Sequence, residues 1–447
     1  MAEPLPLADT GEDPSFADLI AARPHLSLHA FDGLTVEDVP LARIAEVVGT
    51  PAWVYSAGAL RRRARALKAA LSGAGLDASI HFAMKANDNL AVLRVLANEG
   101  LGADVVSEGE LRIARAAGFA ANSIVFSGVG KTDREITLAI AEDIFQINAE
   151  SAEELTKISA IATALGRTAR VALRVNPDVD ARTHAKITTG KAENKFGVAL
   201  SDALSLYARM ASLPGIEPIG IATHIGSQIT QGMAAYRAAY ARLAEMVGEL
   251  RAAGLPVRRV DCGGGLGISY RDEPAPAPEA LAGAIRTTLG ALGLPVMLEP
   301  GRWIAGPAGL LLSSVVLQKQ GASHRFVVAD AGMNDLVRPA MYDAWHAILP
   351  VAAAAHARPR LSAEVVGPVC ETGDTFARAR ALPSLAPGEL LAFLDAGAYG
   401  AVMSSTYNAR PLAPEVLVDG NRFAVVRARQ SHDALLHGQS LPDWLAG

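Results

Sequence analysis

Four groups capable of chemistry each close a short apolar stretch of this 447-residue chain. Lys85 ends the run Ser79-Ile80-His81-Phe82-Ala83-Met84. Burial there disfavours an ammonium and leaves an amine nucleophilic enough for Schiff-base chemistry, although a strand-end lysine also reaches readily into water. Gly263, Gly264 and Gly265 follow Val260-Asp261-Cys262. Such glycines let the backbone approach an anion and turn N–H groups toward it, or simply make a tight turn. They are not a dinucleotide fingerprint, because Ile268 holds the slot of the third spaced glycine. Glu299-Pro300-Gly301-Arg302 joins a carboxylate to a guanidinium, either as an ion pair or as a carboxylate that keeps a pyridine nitrogen protonated. His224 precedes Gly226 and Ser227; its flat ring suits stacking on an aromatic cofactor or a structural hydrogen bond.

Three further groups lie toward the carboxyl end. Arg338 and Tyr342, four residues apart, make a fork suited to a carboxylate. Cys370 sets a thiol beside Glu371, and Tyr399 sits in a turn flanked by Gly397 and Gly400. Each alone is compatible with scaffold; together, with four of the groups ending apolar runs, they point to a site.

The elements that must position these groups show a repeat. Apolar or β-branched runs at 80–85, 103–107, 124–127, 144–148, 171–175, 219–224, 258–262 and 295–299 alternate with helix-like stretches at 90–98, 108–117, 152–165 and 236–253. Eight strand–helix units with right-handed crossovers predict an α/β fold, a closed (β/α)₈ TIM-like barrel, whose chemistry sits at the carboxyl ends of its strands. After residue 306 strand-like runs follow without long helices, at 310–318, 325–329, 363–366, 390–395 and 423–427, which reads as an antiparallel β domain. The expected division is an amino-terminal extension at 1–26, a segment of a discontinuous β domain at 27–55, the barrel at 56–306 and the remaining β domain at 307–447. The proline-rich tract at 273–278 reads as a surface insertion before the last barrel helix.

Composition narrows the classes. The chain is 50% hydrophobic and 19% charged with a net charge of −5, and it carries no basic block, which argues against a nucleic-acid partner. No apolar stretch reaches the ~18 residues of a membrane span, and the acidic start lacks the features of a signal peptide. The two cysteines, Cys262 and Cys370, stand far apart and outside any metal-ligand spacing. No metal is expected, Cys262 reads as a small core residue, and a reducing cytoplasm fits best.

From about residue 51 to 421 these motifs, with Asn194-Lys195-Phe196-Gly197 and the run from Met403 to Pro411, resemble the diaminopimelate decarboxylase family of the alanine-racemase-like pyridoxal-phosphate enzymes. The resemblance implies pyridoxal 5′-phosphate held on Lys85, with His224 stacked on its ring and Glu299 partnering the ring nitrogen. Ser227, Gly263, Gly264, Gly265 and Tyr399 are similar to phosphate ligands, with Gly301 and Arg302 also at the cofactor. Arg302, Arg338, Tyr342, Glu371 and Tyr399 resemble substrate-binding groups. Cys370 and Glu371 look like a pair that a neighbouring subunit inserts into the site, the thiol as proton donor, which makes a homodimer with shared active sites the competent unit. The implied reaction is decarboxylation of meso-2,6-diaminopimelate to L-lysine, the last step of lysine biosynthesis by that route. The alternative in the same fold is an ornithine or arginine decarboxylase, whose substrates lack a distal carboxylate for an extra arginine to meet.

Overall fold

A computed structural model of the chain describes residues 13–180 and 195–445. Asn194 of the motif at 194–197 lies outside the described residues. The chain divides into two compact units, Ala59–Ala308 and a discontinuous one made of Met1–Gly58 with Gly309–Gly447.

The first unit is a barrel. Its strands are β1 (Ala78–Ala83), β2 (Gly102–Val105), β3 (Ile124–Phe126), β4 (Gln146–Ala149), β5 (Ala169–Asn176), β6 (Ile216–Ala222), β7 (Arg259–Asp261) and β8 (Val296–Leu298). Each pairs in parallel with the next, and β8 returns to β1 with Val296 opposite Ala78, closing the ring. β2, β3, β4, β7 and β8 are three- or four-residue strands, and of these all but the first residue of β7 are buried throughout, as covered parallel strands must be. Val198–Ala199 adds a short parallel edge beside the end of β5.

Helix starts are written into the sequence at the strand exits. The side chains of Asn89, Ser107 and Ser151 cap the helices Leu90–Asn98, Glu108–Ala117 and Ala152–Ala164, and Thr132 with Glu135 forms a reciprocal capping box on Asp133–Ala141. Leu200–Ser212, Ala234–Ala252 and Pro278–Leu289 supply the next crossovers, the last with proline in its first turn.

Only a four-residue helix, Arg302–Ala305, follows β8. The eighth place in the ring falls to Ala57–Gly73, which precedes β1: Arg63 stacks over the Trp303 ring at 3.9 Å, and Arg65 pairs with Glu99 at the end of Leu90–Asn98 at 2.7 Å. One boundary also moves. β1 stops at Ala83, and Lys85 sits in the 3₁₀ turn Met84–Ala86 rather than in the strand.

In the second unit the strand Ala52–Ser56 lies in the sheet between Gly309–Gln320, antiparallel, and Glu415–Asp419, parallel. The amino-terminal segment thus contributes one strand to this sheet. Residues 26–40 instead make a separate three-stranded sheet. The larger sheet is mostly antiparallel, with a second parallel pairing between Arg325–Ala329 and Arg360–Val366. Three of its strands, Ile348–Pro350, Thr375–Pro383 and Glu415–Asp419, are absent from the runs read in the sequence. Ahead of these, Phe16 and Leu19 on the helix Phe16–Ala21 are buried, and Arg23 forms a buried ion pair with Asp395. Among the described residues no helix is long and apolar enough to cross a membrane.

Candidate active site

The carboxyl ends of β1, β2, β7 and β8 bring together one ammonium and three buried carboxylates. Lys85 Nζ lies 2.9 Å from Oδ2 of Asp104, which is fully buried on β2. Desolvation is therefore only part of the lysine's setting, since an ion partner faces it. The other Asp104 oxygen, Oδ1, is buried and has no hydrogen-bond partner among the described residues. Asp261 ends β7 and Glu299 follows β8, both buried. Asn148 Nδ2 donates to Asp261 Oδ2 at 3.0 Å and to Glu299 Oε1 at 3.3 Å, and Ser127 donates to Glu299 Oε1 at 3.4 Å.

This crowding of like charge has a titration consequence. Burial, then the neighbouring Asp104 and Asp261 carboxylates, push the Glu299 carboxyl well above its usual range. Burial raises Asp261 to about 6. Three buried acids against one lysine leave the cluster short of positive charge, and a protonated heteroaromatic nitrogen beside Glu299 would supply it.

The glycine triplet is wedged between the exits of β6 and β8. A Cβ on Gly263 would lie 2.2 Å from the Thr223 carbonyl oxygen, one on Gly264 2.2 Å from that of Glu299, and one on Gly265 2.4 Å from that of Gly226. Gly263 and Gly265 also hold φ of +66° and +98°, which side chains resist. Two of the amides that the sequence turns toward an anion have protein partners instead: Gly263 N–H donates to Asp261 Oδ1 at 2.9 Å and Gly264 N–H to His224 Nδ1 at 3.1 Å. From behind, the phenols of Tyr236 and Tyr240 donate to the carbonyls of Gly264 and Cys262. Cys262 is buried, as expected of a core residue.

His224 is held neutral. Burial, then Arg174 and Lys85, lower its pKa well below the ordinary value, and accepting the Gly264 N–H leaves the ring proton on Nε2. Arg302, buried, donates to Tyr270 Oη at 2.7 Å and to Ser227 Oγ at 3.1 Å, which ties a guanidinium to the loop after β6. A Cβ on Gly301 would meet the Ala86 Cβ at 2.9 Å, beside the lysine turn. An aromatic cation with an anionic group and an aldehyde fits this set: carboxylate for the ring nitrogen, guanidinium and hydroxyl for the anion, amine for the aldehyde.

In the β unit, Arg338 is buried at the start of the helix Arg338–Tyr342 and donates to His346 Nε2 at 2.8 Å; Tyr342 is half-buried at its other end. Cys370 and Glu371 are exposed. Their turn is tied from inside by Asp374, whose carboxylate accepts the Val369 and Met333 N–H groups, both at 2.6 Å. It is tied from outside by the 403–411 motif: Asn408 Oδ1 accepts the Cys370 N–H at 3.0 Å, and Tyr407 Oη donates to Glu371 Oε1 at 2.5 Å. Tyr399 adopts φ of +55° in its turn, and a Cβ on the following Gly400 would strike the Trp53 ring at 2.7 Å.

Comparison with known proteins matches residues 57–306 to the family model described as pyridoxal-dependent decarboxylase, pyridoxal binding domain. Diaminopimelate decarboxylase of Zymomonas mobilis is 48% identical over 415 residues, 92% of this chain and 98% of that one. The chain belongs to the diaminopimelate decarboxylase family. The Pseudomonas aeruginosa member is 47% identical, covering 91% of this chain and 97% of its own. The solved Helicobacter pylori diaminopimelate decarboxylase, complexed with L-lysine, superposes with a TM-score of 0.85 at 38% identity, over 89% of this chain and 98% of that one.

Within this diaminopimelate decarboxylase fold, Lys85, Glu299, His224 and Gly263–265 converge at neighbouring strand exits of the barrel, with Ser227, Gly301 and Arg302 beside them. Arg338, Tyr342, Cys370, Glu371 and Tyr399 belong to the other unit. Sequence reading passed over Asp104, Asp261, Asn148, Ser127, Tyr270 and His346. A signal existed for the first: a charged residue inside the apolar run 103–107 has to be buried with a partner.

Proposed function

We propose that this chain removes carbon dioxide from meso-2,6-diaminopimelate to give L-lysine, the last step of lysine biosynthesis by the diaminopimelate route, using pyridoxal 5′-phosphate. The observation that carries the reading is Lys85 set against the buried Asp104, Asp261 and Glu299 at the barrel's strand exits, in a chain 48% identical to a diaminopimelate decarboxylase.

The cofactor's pyridinium ring, when bound, accepts the electron pair of the bond broken as carbon dioxide leaves. The chain's residues do the rest. Lys85 Nζ would hold the cofactor through its aldehyde carbon. Glu299 would face the ring nitrogen; burial, then the Asp104 and Asp261 carboxylates, raise its pKa, and a cation beside it would oppose that shift. His224, fixed by the Gly264 N–H and neutral, would offer a flat face to the ring. Ser227, Tyr399 and the one amide of the glycine triplet not given to Asp261 or His224, that of Gly265, would hold the phosphate, with Gly301 and Arg302 also at the cofactor.

For the substrate, Arg302, Arg338, Tyr342 and Tyr399 take carboxylate, and Glu371 takes the distal ammonium. Cys370 Sγ delivers a proton to the carbon that lost its carboxylate. The exposure of Cys370 and Glu371 on a braced turn supports their insertion into the site of a second copy, so the working unit is a homodimer with shared active sites. The free thiols of Cys262 and Cys370 suit a reducing cytoplasm.

The test is carbon dioxide release by purified protein from meso-diaminopimelate and from ornithine, with borohydride reduction and peptide mapping. Label at Lys85 and turnover of meso-diaminopimelate are expected. Faster release from ornithine overturns the substrate, and an unlabelled Lys85 overturns the cofactor site.

A further inference from the structure

His346 belongs to none of the motifs above, yet it is wholly buried and touches Arg338. Its two ring nitrogens face partners of opposite kind. Nε2 lies 2.8 Å from Arg338 Nη1, which can only donate, and Nδ1 lies 2.8 Å from the Leu394 carbonyl oxygen, which can only accept. The ring is therefore neutral, with its proton on Nδ1 and an acceptor lone pair aimed at the guanidinium.

We propose that His346 is a positioning residue for substrate recognition, its neutral imidazole fixing the direction in which Arg338 presents its guanidinium to a substrate carboxylate. This rests on the reading that Arg338 binds that carboxylate. A guanidinium grips a carboxylate through a planar fork, so its angle matters as well as its charge. The imidazole sets that angle through the Nε2 lone pair that faces Arg338 Nη1.

The ring is itself immobilised. Asp343, at φ +51°, ends the helix Arg338–Tyr342 and turns the chain back so that residue 346 faces residue 338. The His346 carbonyl accepts from Arg380 Nη1 at 2.7 Å, and Arg380 lies 4.3 Å over the Trp345 ring and 3.6 Å from Asp13. Beyond the Leu394 carbonyl, the next residue is Asp395, which takes the buried Arg23. Arg380 thus fixes the backbone of residue 346, and the Leu394 carbonyl fixes its ring.

The experiment compares His346→Phe, His346→Gln, Arg338→Met and the double variant His346→Phe/Arg338→Met in the full-length holoenzyme. His346→Phe should raise KM for meso-diaminopimelate and the dissociation constant for L-lysine, which keeps the distal carboxylate, each by about tenfold, with kcat within about threefold. Cofactor absorbance and retention should not change. His346→Gln, whose amide oxygen can accept from Arg338, should restore both constants to within about threefold of the parent. In the double variant the Arg338→Met effect should absorb that of His346→Phe. Unchanged KM and lysine affinity in His346→Phe, or effects that multiply in the double variant, overturn the inference. Should His346→Phe not fold, His346→Asn, too short to reach Arg338 with the same atom, takes its place with the same expectations. If Arg338→Met itself leaves KM unchanged, the reading of Arg338 fails and this inference with it; a strong Arg338 effect beside a silent His346 sinks the inference alone.

Discussion

The barrel and the β unit carry their reactive groups under opposite conditions. At the barrel's strand exits Asp104, Asp261 and Glu299 are buried together, and burial with mutual repulsion displaces the titration of Asp261 and Glu299. In the β unit Cys370 and Glu371 stand exposed on a turn tied by the Asp374 carboxylate, the Asn408 side chain and the Tyr407 phenol. The first region is strained electrostatically in advance and gains from a cation placed in it. The second is set by hydrogen bonds at the surface. Binding power and reactivity are thus prepared by different means in the two units.

The sharpest way to break that contrast is to remove the amine. Lys85→Ala should lower carbon dioxide release about 10⁴-fold and abolish borohydride labelling at that position. Cys370→Ala should cost about 10²–10³-fold in turnover while leaving cofactor absorbance and melting temperature at parent values, since an exposed thiol contributes little to packing. A stability loss there would show that the exposed turn is part of the core after all.

Gly264→Ala tests the tightness of the barrel side. Its Cβ would lie 2.2 Å from the Glu299 carbonyl oxygen, with backbone rather than a flexible side chain in the way, so a destabilisation of about 3 kcal/mol in chemical denaturation is expected.

Asp261→Asn tests the charge crowding. A carboxyl whose folded pKa of about 6 exceeds its ordinary 3.8 binds its proton more tightly when folded. Its contribution is favourable below about pH 4 and is lost as pH rises through 6. The cofactor-free variant should therefore be more stable than the parent above pH 6, by on the order of 2 kcal/mol, with the gap closing toward pH 4. An equal difference at both pH values would remove the electrostatic account. The smallest effect belongs to Tyr407→Phe, which deletes the bond to Glu371 on the exposed side and should raise KM about threefold.

Much of the barrel was legible because its grammar is local. Apolar runs mark the eight strands, and the helix-like stretches at 90–98, 108–117, 152–165 and 236–253 fall on helices between them. Lys85, Glu299 and the glycines stand out because reactive types end those runs. The ring's eighth helix was not legible: nothing in 57–73 says that it closes the circle from the front of the chain, a matter of tertiary packing on Trp303 and Glu99. Asp104 and Asp261 escaped because a single acid inside an apolar stretch reads as a boundary until three of them meet across the ring. In the β unit, the register and direction of Ala52–Ser56 depend on partners hundreds of residues away. The parallel pairing of Ala52–Ser56 with Glu415–Asp419 and the contact of His346 with Arg338 have no periodicity to betray them.

The placement of Ala52–Ser56 between Gly309–Gln320 and Glu415–Asp419 bears on biogenesis. A ribosome emits that strand, all five residues buried in the finished sheet, roughly 250 residues before its first neighbour appears. It must wait with both edges unsatisfied while the barrel forms, which is the interval in which nascent chains are most prone to associate wrongly. Chaperone demand during synthesis should accordingly concentrate on this early segment, and fusing it ahead of residue 309 in a rearranged chain would relieve it.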